Sequence, residues 1–134
     1  MRWCSSGMLA ITIAAVAVPG WAQEVDCETA EAQQELTWCA EQDWIAADAD
    51  LNAAYAAARG VMRDIDAALP KAEQGAAGYL KAAQTAWIAL RDAGCAAEGY
   101  VAHGGSLEPM LIYGCWARMS AARAEDLWQL AETN

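Results

Sequence analysis

The feature that most restricts this chain is the spacing of its larger apolar residues. From Leu36 they recur as Ala40, Trp44, Ala47, Leu51, Tyr55, Ala58, Met62, Ile65 and Leu69, always three or four positions apart. That period belongs to a helix burying one stripe, whereas a strand alternates every second residue. Pro70 ends the run, because proline lacks the backbone N–H and collides with the preceding turn. Proline also suits the first turn of a following helix, although Gly75 and Gly78 weaken that turn here. A second stripe reads Leu80, Ala83, Trp87, Leu90, Gly94, and a third Ile112, Cys115, Met119, Ala122, Leu127, Leu130. Between them, Gly99 to Pro109 has no helical period and reads as a loop around Gly104-Gly105-Ser106. Alanine supplies 34 of the 134 residues, which favours helix and makes a shallow core. The expected fold is all-α: a small disulfide-stabilised bundle of three to four helices built on a long antiparallel helical hairpin.

The N-terminus is set apart from that fold. Arg2 is followed by the apolar run Met8 to Val18, and Pro19-Gly20-Trp21-Ala22 closes it with small residues around a bulky one. This is the pattern of a secretory signal peptide, with residues 1–22 cleaved and residues 23–134 forming a single helical domain. The apolar run is short of the roughly 20 residues that span a bilayer. The expected location is the periplasm or the extracellular space, with no membrane insertion after cleavage.

Removing the leader also removes Cys4 and leaves four cysteines, Cys27, Cys39, Cys95 and Cys115. In an oxidising compartment an even set of this kind forms two disulfides. Three pairings are open. Cys39 with Cys95 and Cys27 with Cys115 would tie the N-terminal segment to both later helices. Cys27 with Cys39 is disfavoured if continuous helix separates them, because a rise of about 1.5 Å per residue carries the two thiols beyond bonding distance. No pair has C-x2-C spacing and His103 stands apart from all four, so neither a metal nor a cofactor is expected.

The formal charge of -10 argues against nucleic acid, which is held by Lys and Arg on phosphates. Loss of Arg2 makes the balance one unit more negative. Between Asp26 and Leu69 ten acidic residues face only Arg59 and Arg63. Such a segment attracts basic partners at long range. No nucleophile elbow, H-E-x-x-H or phosphate-binding glycine loop is present, and an enzyme is not expected. Trp44 and Trp87 lie on the packing stripes, while Trp38, Trp116 and Trp128 lie off them, where a partner surface would be.

Folding the second helix back about Leu69 and Pro70 makes residues face one another when their numbers sum to about 139. Asp48 then meets Arg91, Asn52 meets Trp87 and Tyr55 meets Gln84. A carboxylate interrupting an apolar seam needs a partner, which makes Asp48 and Arg91 the expected structural ion pair.

The ordered set Asp26-Cys27, Leu36, Cys39-Ala40, Ala47-Asp48, Leu51-Asn52 and Tyr55 resembles the N-terminal half of the LprI-type lysozyme inhibitor domain. Ala83-Gln84, Ala86-Trp87-Ile88, Arg91-Asp92, Cys95, Gly104-Gly105-Ser106, Pro109-Met110, Cys115, Arg123 and Leu127 resemble its second half. Ser120, Gly94 and Trp44 depart from the family's usual residues. The resemblance implies a secreted or periplasmic disulfide-bonded helical domain, and for some members inhibition of lysozyme. Animal lysozymes are basic, which fits the acidic first helix as a partner-seeking surface. Inhibition also requires a part that covers a cleft, and the loop with Gly104, Gly105, Ser106 and Glu108 is the candidate. The competing role for those residues is local: the glycines permit a turn, and Ser106 or Glu108 caps the third helix ahead of Pro109. The alternative function is a structural or adaptor module that binds an envelope protein without touching lysozyme.

Overall fold

The computed structural model describes residues 25–132. The signal peptide expected over 1–22 lies outside them. Three helices follow in order, α1 (Gln33–Ala68), α2 (Ala76–Gly99) and α3 (Glu108–Glu132), with short 3-10 turns at Lys71–Glu73 and Tyr100–Ala102. The fold is all-α. α1 and α3 run parallel from the same end, where Gln33 Nε2 donates to Met110 Sδ at 3.5 Å and, further along, Trp128 Nε1 donates to Asp50 Oδ1 at 3.0 Å. α2 runs antiparallel to both. α1 packs along α3 far more extensively than along its sequence neighbour α2, so the principal helix pair is not the sequential hairpin.

The core is small, as the alanine content requires. Leu51, Ala54 and Ala58 of α1 meet Leu80 of α2 and Ala124 and Leu127 of α3, with Tyr55, Met62, Trp87 and Leu130 packed around them. The third stripe is shifted from its expected face near Ala122, which is exposed, while Ala124 is buried.

The second stripe is misplaced by about one position. Ala83, Leu90 and Gly94 face solvent, and the side of α2 turned inward carries Leu80, Gln84, Trp87, Arg91 and Cys95. Polar partners across the bundle select this face. Arg123 Nε donates to Gln84 Oε1 at 3.1 Å, and Arg91 Nη1 donates to Asp48 Oδ1 at 3.1 Å and to Ser120 Oγ at 3.3 Å. Asn52 lies on the exposed side and donates to Asp48 Oδ2 at 3.0 Å, and Gln84 is engaged by α3 and not by Tyr55.

The disulfides are Cys27–Cys39 and Cys95–Cys115, which corrects the preferred crosswise pairing. Helix does not begin until Gln33. Before it, Asp26 folds the chain back: its Oδ1 accepts Glu28 N–H at 3.0 Å and its Oδ2 accepts the Thr29 hydroxyl at 3.0 Å. The turn returns Cys27 to 5.7 Å from Cys39, Cα to Cα, well within disulfide reach. The second bridge staples the end of α2 to α3 just where Gly99 lets them close. A Cβ on Gly99 would lie 2.5 Å from Ile112 Cγ1. Gly99→Ala should therefore lower stability by about 1–3 kcal/mol through overpacking, measured as the urea midpoint. An unchanged midpoint would show that Ile112 moves aside freely.

Pro70 does not open α2; it heads the short turn, and α2 starts at Ala76 after Gln74-Gly75. Neither neighbour supplies a cap. Asp66 of α1 supplies it, accepting the N–H groups of Gly75, Ala76 and Ala77 at 2.8, 2.8 and 3.0 Å. These three bonds hold its carboxyl pKa below the ordinary 3.8. A lowered carboxyl pKa stabilises the fold at pH above the ordinary value, and the gain disappears as pH falls through the folded value. Asp66→Ala should be less stable than the parent at neutral pH. The gap between them should close below about pH 3.8, as followed by thermal melts; a gap independent of pH would remove the charged cap.

Candidate functional site

The loop between α2 and α3 is braced from inside. Glu108 Oε2 accepts Gly104 N–H at 2.7 Å and Oε1 pairs with His103 Nδ1 at 3.0 Å. His103 in turn stacks on Tyr100 with ring centres 4.1 Å apart and planes 6° from parallel. Gly104 adopts φ 77°, the left-handed turn its lack of a side chain allows, and Gly105 N–H donates to Ala102 O at 2.9 Å. The bond to His103, and then that to Gly104, hold the Glu108 carboxyl below its ordinary 4.5. Both of its oxygens are engaged in shaping the loop.

Beside this brace lies a groove of about 470 Å³, lined by Gly104, Gly105, Glu108, Pro109, Ile112, Tyr113 and Trp116. Ser106 sits on the exposed turn and is not part of the lining. The floor is aromatic. Trp116 and Trp44 have ring centres 4.9 Å apart, and Tyr113 lies 5.7 Å from Trp44 and 5.8 Å from Trp116. Burial first, and then the hydrogen-bonded Glu41 carboxylate, push the Tyr113 phenol pKa above its ordinary 10.0. The indole N–H groups of Trp44 and Trp116 are buried without a hydrogen-bond partner. Val101, 82% exposed, and Leu107, 40% exposed, are apolar residues of the same loop that lie outside this lining.

Trp116 thus belongs to a packed cluster and also to a groove wall. Its i, i+3 spacing from Tyr113 on one helix was the available signal; Trp44 of α1 packs against both rings but does not line the groove itself. Trp38 and Trp128 are partly exposed elsewhere, at 40% and 36%. Trp38 borders a second depression with Asp26, Cys27, Glu28 and Gln42. Because α1 and α3 start at the same end, Asp26, Glu28 and Glu41 share that end of the bundle with the groove. Among the described residues no group of three His, Cys, Asp or Glu side chains could hold a metal, and no helix is long and apolar enough to cross a membrane.

Comparison with known proteins agrees with this architecture. The chain is 42% identical over 113 residues to an uncharacterized protein of Rhizobium meliloti strain 1021, covering 82% of this chain and 81% of that one. The crystal structure of a DUF1311 family protein from Pseudomonas putida KT2440 superposes with a TM-score of 0.65 at 30% identity, covering 78% of this chain and 98% of that one. The model of the family described as lysozyme inhibitor LprI matches residues 26–127. With that match across nearly all of the helical bundle, the chain belongs to the LprI lysozyme inhibitor family.

Proposed function

We propose that this protein binds a basic lysozyme at the loop end of the bundle and inhibits it. The observation that carries the reading is the aromatic-floored groove beside Gly104, Gly105 and Ser106, set at the same end as Asp26, Glu28 and Glu41. An apolar patch with acidic neighbours matches a basic partner: the charges raise the encounter rate, and burial of the patch supplies the lasting attachment. Glu108 contributes by holding Gly104 and Gly105 in place, and Ser106 contributes as the exposed tip. Two disulfides suit a protein that works in the periplasm or outside the cell.

Lysozyme-driven clearing of a cell-wall suspension tests the reading. The protein should slow clearing in a dose-dependent manner, and less so as salt rises from about 50 to about 200 mM. Val101→Glu with Leu107→Glu should raise the half-inhibitory concentration about tenfold, equivalent to about 1.4 kcal/mol, with an unchanged melting temperature because both side chains are exposed. Clearing at the uninhibited rate in molar excess of folded protein, with every lysozyme type, would leave the adaptor role instead.

A further inference from the structure

The outward face of α2 is anomalous for so acidic a molecule. At 3.6 residues per turn, all four charged residues of α2, Lys81, Arg91, Asp92 and Glu98, fall outside a broad face that runs from Tyr79 to Tyr100. Every residue on that face is apolar and exposed, including Tyr79 at 81%, Leu90 at 63% and Tyr100 at 64%. No element of the bundle covers it among the described residues.

The face is also its own mirror image. Tyr79 and Tyr100 stand at the ends, Ala82-Ala83 and Ala96-Ala97 lie inside them, Ala86 and Ala93 come next, and Ala89-Leu90 form the centre. Their numbers pair to a constant sum, as facing residues do when a helix meets an antiparallel copy of itself across a two-fold axis. Such an interface must be self-complementary: what residue i touches on the partner, the partner's copy of that residue must touch in return. Alanine at seven of the inner positions lets two backbones approach closely, with the tyrosines closing the two ends and Leu90 filling the middle.

We infer that α2 is the self-association face of this protein, packing antiparallel against α2 of a second copy with Tyr79 opposite Tyr100 of the other copy. The self-complementary order of the face selects a second copy as the occupant, and charge selects the face. Two leader-free copies, each one unit more negative than the -10 of the full chain, repel wherever acidic α1 is presented, and the uncharged α2 face is where that repulsion is least. The size sets the strength. Twenty-two residues of helix are about 33 Å long, and a strip one helix wide covers a few hundred Å² per copy, against roughly 800 Å² in a standard stable interface. The dimer is therefore weak and concentration-dependent.

Analytical ultracentrifugation of the leader-free protein tests this from about 10 µM to about 1 mM, spanning the range where weak complexes form. A monomer–dimer equilibrium is expected that strengthens with salt, because screening relieves repulsion between like-charged copies. That is the opposite sign to the salt dependence of lysozyme binding, so either idea can fail without the other. Leu90→Glu brings two carboxylates together at the axis and should raise the dissociation constant at least tenfold with no change in melting temperature. The combined variant Tyr79→Lys, Tyr100→Glu should keep the dimer, since antiparallel packing sets each introduced ammonium against an introduced carboxylate. A purely monomeric protein at about 1 mM, or a dimer indifferent to Leu90→Glu, overturns the inference; loss of the dimer in the combined variant overturns its antiparallel register.

Discussion

Replacing Cys95 and Cys115 together by alanine should lower the unfolding free energy by about 3–5 kcal/mol, a large share of the roughly 5–15 kcal/mol that holds a domain folded. The bridge closes 20 residues of chain, and opening a loop of that length returns about 3 kcal/mol of conformational freedom to the unfolded state. Both sulfurs are also core atoms, with Cys95 fully buried and Cys115 2% exposed, so truncation to alanine leaves a void next to Met119, whose Sδ lies 3.7 Å from Cys95 Sγ. The same treatment of Cys27 and Cys39 should behave differently. That bridge fastens an exposed turn ahead of α1, and its loss frees residues 25–32 to open locally while the bundle stays folded. Urea titrations of the two double variants decide the matter. Equal losses would mean that the N-terminal turn is cooperative with the bundle.

Arg91→Gln should cost about 2–3 kcal/mol, and Asp48→Asn clearly less. The inequality follows from exposure. The Arg91 side chain is 12% exposed and serves three partners: Asp48, Ser120 and Asp92, the last through Nε at 2.9 Å. Its guanidinium also lies 5.3 Å from the centre of the Trp87 ring. Removing it leaves the fully buried Ser120 hydroxyl without this donor and strips the cover from Trp87. Asp48 is 35% exposed, so water screens its charge, and an asparagine there still offers an oxygen to Arg91. A double-mutant cycle measures the coupling between the two residues. Equal single losses would assign the effect to the ion pair alone; a larger loss at Arg91 assigns the excess to Ser120 and Trp87.

Legibility differed from helix to helix for physical reasons. α1 was readable because its apolar residues keep one phase and its partners are apolar. α2 was not, because the rule that apolar residues point inward selects Ala83 and Leu90, whereas Gln84 and Arg91 gain more by meeting Arg123, Ser120 and Asp48 across the bundle. Asp48 and Arg91 do meet as the expected fold-back at Leu69-Pro70 places them, although α1 ends at Ala68 and α2 starts only at Ala76, so the pairing owes as much to the reach of the arginine side chain as to helix register. Asp66 could not be seen as the cap of α2, because it lies nine residues ahead of the first amide it accepts, with a turn between. The groove was half legible: Gly104 and Gly105 are local turn signals, but the Tyr113 and Trp116 rings of its floor are backed by Trp44 from a different helix.

Helix, the two breaks and the family are all legible in residue order alone, because period, proline and glycine act within a few residues of themselves. The cysteine pairing, the principal partner of α1 and the inward face of α2 emerge only when the helices pack. Each of those depends on groups far apart in sequence competing for the same partners: the fold-back at Asp26 returns Cys27 to Cys39, the arrival of α3 along α1 displaces the hairpin as the main contact, and the polar residues of α3 turn Arg91 and Gln84 inward and leave the alanine face of α2 outside.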